Sequence, residues 1–295
     1  MLLELLKEEK ILEQREHLVL DNPLLPKFEL TQFTSIDDTI LFYKGVEKAT
    51  KGFQYTPKVF DLGFGSCIMG LTLLKKGLIS EISGIDIDPQ AIEKANLNAE
   101  ICGIDKSKLS LVQGNIDELK ESINTHTDIL TANLPYLPVP KNKEMHISVS
   151  AGEDGTNYVP NTILEYAKTL TPKKIVFNFC SMSSPIKILE IIQQSSYNIS
   201  DCTILICPFG RYTKQLIEYY EKKPEFIFHQ DGNEFWQCII SLEIDGRAKI
   251  APLELMKDLY DFKLTGTINN PQIETFKSTK LEIASMYNRR QISNC

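Results

Sequence analysis

The chain falls into short apolar runs separated by stretches with apolar residues at helical spacing. Lys58–Leu62 (KVFDL) reads as a buried strand that ends in a glycine turn, and Ser66–Lys76 as a helix. Ile82–Ile87 is a second strand. Pro89–Cys102 is a helix with proline at its first turn and Gly103 just past its end. Leu109–Val112 and Asp128–Ala132 read as strands, Asn161–Leu170 as a helix, Lys174–Phe179 as a strand and Pro185–Gln194 as a helix. Cys202–Cys207 and Trp236–Leu242 complete seven strands. Strands alternating with helices of this length predict an α/β fold: a three-layer, Rossmann-like, seven-stranded and mostly parallel sheet with helices on both faces.

The ends of the chain read differently. Residues 1–19 have the pattern of an amphipathic helix, broken at Asp21-Asn22-Pro23. A second helix is expected from Ser35 to about Thr50, with Ser35 and Asp38 spaced as a capping box. Residues 208–225 predict one inserted helix before the last strand. Beyond the sheet, Leu253–Phe262 is amphipathic and a polar tail follows. This divides the chain into a helical N-terminal segment (1–54), an α/β domain (55–245) and a C-terminal extension (246–295).

Net charge is −7, so phosphate backbones are repelled, and adjacent basic residues form only isolated pairs such as Lys75-Lys76 and Arg289-Arg290. Nucleic acid is therefore a less favoured partner. The seven cysteines show no C-x-x-C pair and no metal spacing, and the four histidines are scattered, so no metal site is expected. Odd-numbered thiols in apolar surroundings fit a reducing compartment. With no apolar run long enough for a bilayer and no cleavable leader pattern, a cytoplasmic protein without membrane contact is expected. Oligomeric state is not legible.

Chemistry concentrates at the carboxyl ends of the strands, where ligands bind in such sheets. The first turn, DLGFGSCIMG (61–70), has Ile68 where a dinucleotide fingerprint needs its third glycine. Asp61 before it suits a cationic group such as an amino-acid ammonium. Asp86 ends the second strand where an acid accepts ribose hydroxyls, and Asp88 is read as the cap of the following helix. Two acids framing two glycines fit a nucleoside joined to an amino acid. TANLPYLP (131–138) places a planar amide, a proline and an aromatic ring at the fourth strand's tip. An ordinary turn would use the same residues.

DLGFGS, GIDIDPQAIEKANLNAE, LVQGN, NLPYLP and AGEDGTNY, in that order over about residues 55–243, resemble the class I S-adenosylmethionine-dependent methyltransferases. Within these they resemble the HemK-like protein glutamine-N5 methyltransferase group. The resemblance implies S-adenosylmethionine as cofactor, with Asp61, Gly63 and Gly65 at its methionine end and Asp86 at its ribose. It places Ile87 on the adenine, Asn115 near the adenine amine where the family often has Asp, and Asn133 at both cofactor and acceptor. Asn133, Leu134, Pro135 and Tyr136 form the implied catalytic loop. The Asn133 oxygen and the carbonyl of Leu134 would accept the two N–H groups of a flat nitrogen, and Tyr136 would lie against it.

Three features depart from the family pattern. Cys67 replaces the usual third glycine of the first turn, which is expected to bring a side chain near the cofactor. Leu134 replaces the first proline of Asn-Pro-Pro-Tyr. The family's large N-terminal substrate domain is expected to be absent, since about 55 residues precede the α/β part. The reading is thus an enzyme that methylates a planar amide or amine nitrogen of a protein or small molecule. The alternatives are adenine-N6 methylation of RNA or DNA, since Asn-Leu-Pro-Tyr also occurs there, and a non-catalytic cofactor-binding scaffold.

Overall fold

A computed structural model describes residues 36–118 and 125–277. The amphipathic pattern at 1–19, the Ser35 half of the capping box and residues 278–295 lie outside the described residues.

Strands β1 (Lys58–Leu62), β2 (Glu81–Asp86), β3 (Leu109–Gln113), β4 (Ile129–Ala132) and β5 (Lys174–Cys180) run parallel in the order β3-β2-β1-β4-β5. The chain leaves β1 toward one edge and returns to β4 on the other side, so the crevice between β1 and β4 is the topological switch point. The sheet continues through an antiparallel pair, β8 (Glu234–Asp245) beside β5 and β6 (Asn198–Pro208) beyond it. All seven expected strands are present, and β6 and β8 are longer than the apolar runs predict because their polar ends continue the antiparallel ladder. Two short strands join them. β7 (His229–Asp231) forms a hairpin with β8 through Gly232, which adopts φ 58°. β9 (Glu274–Lys277) adds to the outer edge of β6 in parallel. Among the described residues the sheet therefore has nine strands.

Side chains on one face pack under α1 (Ile36–Thr50), α2 (Ile68–Lys75) and α3 (Pro89–Ile101). The opposite face packs under α4 (Asn161–Leu170), α5 (Pro185–Gln194) and a later helix, Pro252–Thr265. The three layers follow from period-2 alternation in strands buried on both faces: Val59 and Ile129 face α1–α3, while Phe60, Leu62 and Leu130 face the other layer.

The insert before β7 departs from expectation. It is two one-turn helices, α6 (Arg211–Lys214) and α7 (Ile217–Tyr220), not one helix. Leu216 leaves helical geometry (φ −119°, ψ 8°) and is buried with Phe209, Tyr220 and Phe226. Aromatic packing overrides the helical pattern there. The C-terminal amphipathic stretch is α8 (Pro252–Thr265), ended by Gly266 at φ 71°.

Candidate active site

β1 delivers Asp61 to the switch point and then turns sharply. Gly63 and Gly65 hold left-handed backbone (φ 71° and 54°), which glycine adopts without steric cost. The Gly63 N–H donates to the Ile85 carbonyl at 2.8 Å, and the Gly65 N–H to Asp86 Oδ2 at 2.7 Å. The first turn is thereby tied to the end of β2. Gly84 permits the approach, since a Cβ there would sit 2.6 Å from the Asp61 carbonyl.

Asp61 is 3% exposed, and the Thr131 hydroxyl donates to its Oδ1 at 2.8 Å. Burial, reinforced by the charge of Asp86, raises its pKa to about 7 against the opposing effect of that hydrogen bond. Thr131, the first residue of the TANLPYLP stretch, is the partner that sequence reading missed; a lone polar side chain in a strand reading ILTA was its only signal. Asp86 is raised too, chiefly by burial, while its two oxygens accept from the N–H groups of Gly65 and Asp88. Asp88 caps α3 through the Gln90 N–H, as expected. Ile87, beside it, is 50% exposed, an apolar side chain presented outward at the strand tip.

Cys67 stands in left-handed backbone (φ 57°), which is why glycine is the usual residue there. Its thiol is buried in the core under α2, lying toward Gly70, and burial pushes its pKa upward. The side chain packs into the α2 layer, within reach of the Asp61 charge, which pushes its pKa up further.

Asn115 follows the Gly114 turn after β3. Its side-chain oxygen accepts from the Asp117 N–H at 3.0 Å and its amide reaches Glu118 at 3.3 Å. The side chain is engaged in its own turn, the role a Gly-Asn pair commonly plays.

β4 ends at Ala132 and releases Asn133, Leu134, Pro135 and Tyr136. The Asn133 Oδ1 atom is buried and accepts no hydrogen bond from any described residue. Leu134 is 5% exposed, and its Cδ2 would lie 2.9 Å from a Cβ at Gly63. The loop thus packs directly on the glycine turn, through the side chain that replaces the family's proline. Behind it, the Tyr136 carbonyl accepts from Ser183 Oγ at 2.6 Å. The AGEDG segment crosses the same carbonyl; a Cβ at Gly155 (φ 76°) would come within 2.5 Å of it. Asp154 in that segment pairs with Lys187 of α5 at 2.7 Å and is held below the usual carboxylate range despite partial burial.

The structure therefore brings the Asp61–Gly65 turn, Asp86, Ile87, the Gly114–Asn115 turn and the Asn133–Tyr136 loop to one end of the sheet: the Gly114 N–H donates to the Asp86 carbonyl at 2.9 Å, and the Asn115 side chain is engaged within its own turn. Among the described residues, no group of three or more His, Cys, Asp or Glu could hold a metal ion, and no helix is long and apolar enough to cross a membrane.

Residues 39–139, which include all of these except the AGEDG segment and its partners, match the family model described as ribosomal protein L11 methyltransferase (PrmA). A release factor glutamine methyltransferase of Deinococcus radiodurans is 27% identical over 124 residues, 39% of this chain and 42% of that protein. A ribosomal protein L11 methyltransferase of Escherichia coli (strain 55989 / EAEC) is 40% identical over 77 residues, 26% of this chain and 24% of that protein. The chain thus spans less than half the length of these curated relatives. Among solved structures, a putative RNA methyltransferase from Pyrococcus horikoshii aligns with a TM-score of 0.48 at 12% identity, over 78% of this chain and 98% of that one. The family match and the curated relatives bear out the resemblance to class I S-adenosylmethionine-dependent methyltransferases, and the stretch matched by the family model includes the glycine turn and the Asn133 loop.

Proposed function

We propose that the protein transfers a methyl group from S-adenosylmethionine to a planar amide or amine nitrogen, with a protein as the favoured acceptor. The observation that carries this reading is the Asn133 side-chain oxygen, buried without a partner among the described residues beside the glycine turn. An unsatisfied buried acceptor costs about 1–3 kcal/mol, so its retention points to an N–H donor supplied from outside.

The residues present fit the cofactor. Asp61 is a buried acid suited to an ammonium, Asp86 a partly buried acid suited to ribose hydroxyls, and Ile87 an exposed apolar surface suited to a base. Gly63 and Gly65, without a Cβ of their own, leave their backbone in left-handed conformation open to close approach by a ligand. When bound, S-adenosylmethionine supplies an electrophilic methyl on a sulfonium. The chain's own task is to orient the acceptor in line with that bond. Asn133 Oδ1 and the Leu134 carbonyl accept the two N–H groups of the flat nitrogen and stabilise the positive charge that develops on it. Pro135 holds Leu134 in extended backbone, which fixes the aim of its carbonyl. Tyr136 offers its ring as the surface against which the planar group lies.

In this reading 55–245 is the methyltransferase domain, and 1–54 and 246–295 are additions to it; α1 and β9 join the same layers. The relatives named for ribosomal protein L11 and for release factor glutamine support a protein acceptor, and net charge −7 weighs against RNA or DNA adenine. The test is incubation with methyl-labelled S-adenosylmethionine and cell extract, followed by fractionation. Label is expected in protein, and lost at least about a hundredfold in Asn133→Ala, with S-adenosylhomocysteine affinity retained. Full transfer by that variant refutes the role of Asn133; label confined to RNA or DNA moves the assignment to adenine.

A further inference from the structure

The Asn133–Tyr136 loop is held from behind by the turn that follows β5. Ser183 lies in that turn with no exposed surface, and its hydroxyl donates to the Tyr136 carbonyl at 2.6 Å. Ser183 is itself aimed by the end of β5. The Cys180 N–H donates to its Oγ at 3.2 Å, the Cys180 sulfur lies at the same distance, and the Ser183 N–H closes the turn on the Cys180 carbonyl at 2.9 Å. The contact with the Tyr136 carbonyl is the shortest of these and takes the hydroxyl proton. The next residue, Ser184, stands in left-handed backbone (φ 45°, ψ 62°) directly before Pro185. A residue other than glycine adopts that conformation at a steric cost, and such strain persists only where the surroundings impose it. Gly155 covers the contact from another side: a Cβ there would lie 2.5 Å from the Tyr136 carbonyl and 2.9 Å from Ser183 Cα.

The chain between this carbonyl and the acceptor site has little freedom. Peptide planes are rigid, and the Pro135 ring fixes its own φ. Only ψ of Pro135 and φ and ψ of Tyr136 stay soft between the Tyr136 carbonyl and the Leu134 carbonyl. The same bonds orient the Tyr136 ring. We propose that Ser183 is a positioning residue for methyl transfer: its hydroxyl, by fixing the Tyr136 carbonyl, sets the aim of the Leu134 carbonyl and the tilt of the Tyr136 ring toward the acceptor nitrogen. This rests on the methyltransferase reading and adds the turn after β5 to the machinery of the site. Ser183 acts through the loop alone.

Ser181, in the same turn, provides the comparison. It is equally buried, and its hydroxyl donates to the Ile227 carbonyl at 2.6 Å while accepting from the Cys238 N–H at 3.1 Å. It ties the turn to β8 and to the segment before β7, not to the loop. A purely structural hydroxyl at Ser183 would behave as the one at Ser181 does. The full chain and its Ser183→Ala, Ser181→Ala and Gly155→Ala variants are compared well below their unfolding temperatures. The readouts are transfer of labelled methyl from S-adenosylmethionine into extract protein, S-adenosylhomocysteine affinity by calorimetry, and the Tyr136 carbonyl resonance. Tyr136-Leu137 is the only Tyr-Leu pair in the sequence, so 13C-carbonyl tyrosine with 15N-leucine reports that carbonyl as a single peak. Ser183→Ala is expected to move the peak upfield and to lose transfer about tenfold, with S-adenosylhomocysteine affinity changed less than about twofold. Ser181→Ala lowers stability but leaves the peak in place and transfer close to wild type. Gly155→Ala keeps the hydroxyl but pushes the carbonyl off it, so it moves the same peak and loses transfer likewise.

Full transfer or an unmoved peak in Ser183→Ala overturns the proposal, as does an equal loss of transfer in Ser181→Ala. A Gly155→Ala variant that moves the peak and keeps full transfer overturns it too, and decides the matter even where Ser183→Ala does not fold. If the wild-type chain transfers no label, the methyltransferase reading falls and this role with it. Label transferred by the wild type and undiminished in the variants overturns the role of Ser183 alone.

Discussion

The buried Asp61 makes cofactor affinity depend on pH in a calculable way. In the ligand-free protein its pKa is about 7, raised by burial and by the neighbouring charge of Asp86. An ammonium binds only the ionised carboxylate. At pH 8 about nine-tenths of Asp61 is ionised and at pH 6 about one-tenth, so affinity for S-adenosylhomocysteine should fall about tenfold, or ~1.4 kcal/mol, between them. The assay is isothermal titration at pH 6, 7 and 8 in buffers of different ionisation enthalpy. It should show nearly one proton released per ligand at pH 6 and almost none at pH 8. Asp61→Asn should bind more weakly at pH 8 and lose most of the pH dependence. The sign for stability runs the other way. The folded pKa lies above the unfolded one, so the ligand-free protein is favoured with Asp61 protonated and loses that stability as pH rises toward 7. Bound ammonium reverses this, so the ligand-induced rise in Tm should be larger at pH 8 than at pH 6. Affinity that is flat, or that rises toward pH 6, would refute an ionised Asp61 as the ammonium partner.

Three further outcomes test the neighbouring geometry. Asp86→Ala removes the acceptor for the Gly65 and Asp88 N–H groups as well as the proposed ribose contact, and should weaken S-adenosylhomocysteine binding at least about tenfold by calorimetry, a loss of ~1.4 kcal/mol or more; unchanged affinity would misplace the ribose site. Leu134→Ala deletes the buried side chain between the Asn133 loop and Gly63, and should cost about 2–4 kcal/mol in denaturant unfolding while also weakening cofactor binding. Gly155→Ala forces a Cβ toward the Tyr136 carbonyl in left-handed backbone, and should destabilise by about 1–3 kcal/mol with a loss of methyl transfer exceeding any loss of cofactor affinity.

What was legible in the sequence follows from the range of the forces involved. Strands β1, β4, β5, β6 and β8 announce themselves because strands buried on both faces need near-continuous apolar runs, whereas the partly buried β2 and the edge strand β3 are legible from short apolar runs bounded by turns and helices. The turn at Gly63–Gly65 and the Asp88 cap are legible because backbone conformation there depends on adjacent residues. β9 was hidden because an edge strand is held by backbone hydrogen bonds: Glu274, Thr275 and Lys277 are polar, and Phe276 lies under the Lys44 ammonium. The break at Leu216 was hidden because it depends on Phe209 and Phe226, which pack from outside the helical pattern. The site was legible as motifs but not as contacts. Thr131 holds Asp61 across 70 residues and Ser183 holds the Tyr136 carbonyl across 47, distances at which no local spacing gives a signal. The direction of the Cys67 thiol was hidden for the opposite reason: the motif position is local, but the thiol is directed by the space beside Gly70.

The most direct measurement is a crystal structure of the protein with S-adenosylhomocysteine. The account predicts the methionine end over Gly63 and Gly65 with its ammonium on Asp61, the ribose on Asp86, and the Asn133 side-chain oxygen and Leu134 carbonyl aimed at one point in front of the sulfur. Electron density for the ligand elsewhere, or an Asn133 oxygen turned from the sulfur into a protein hydrogen bond, would contradict it.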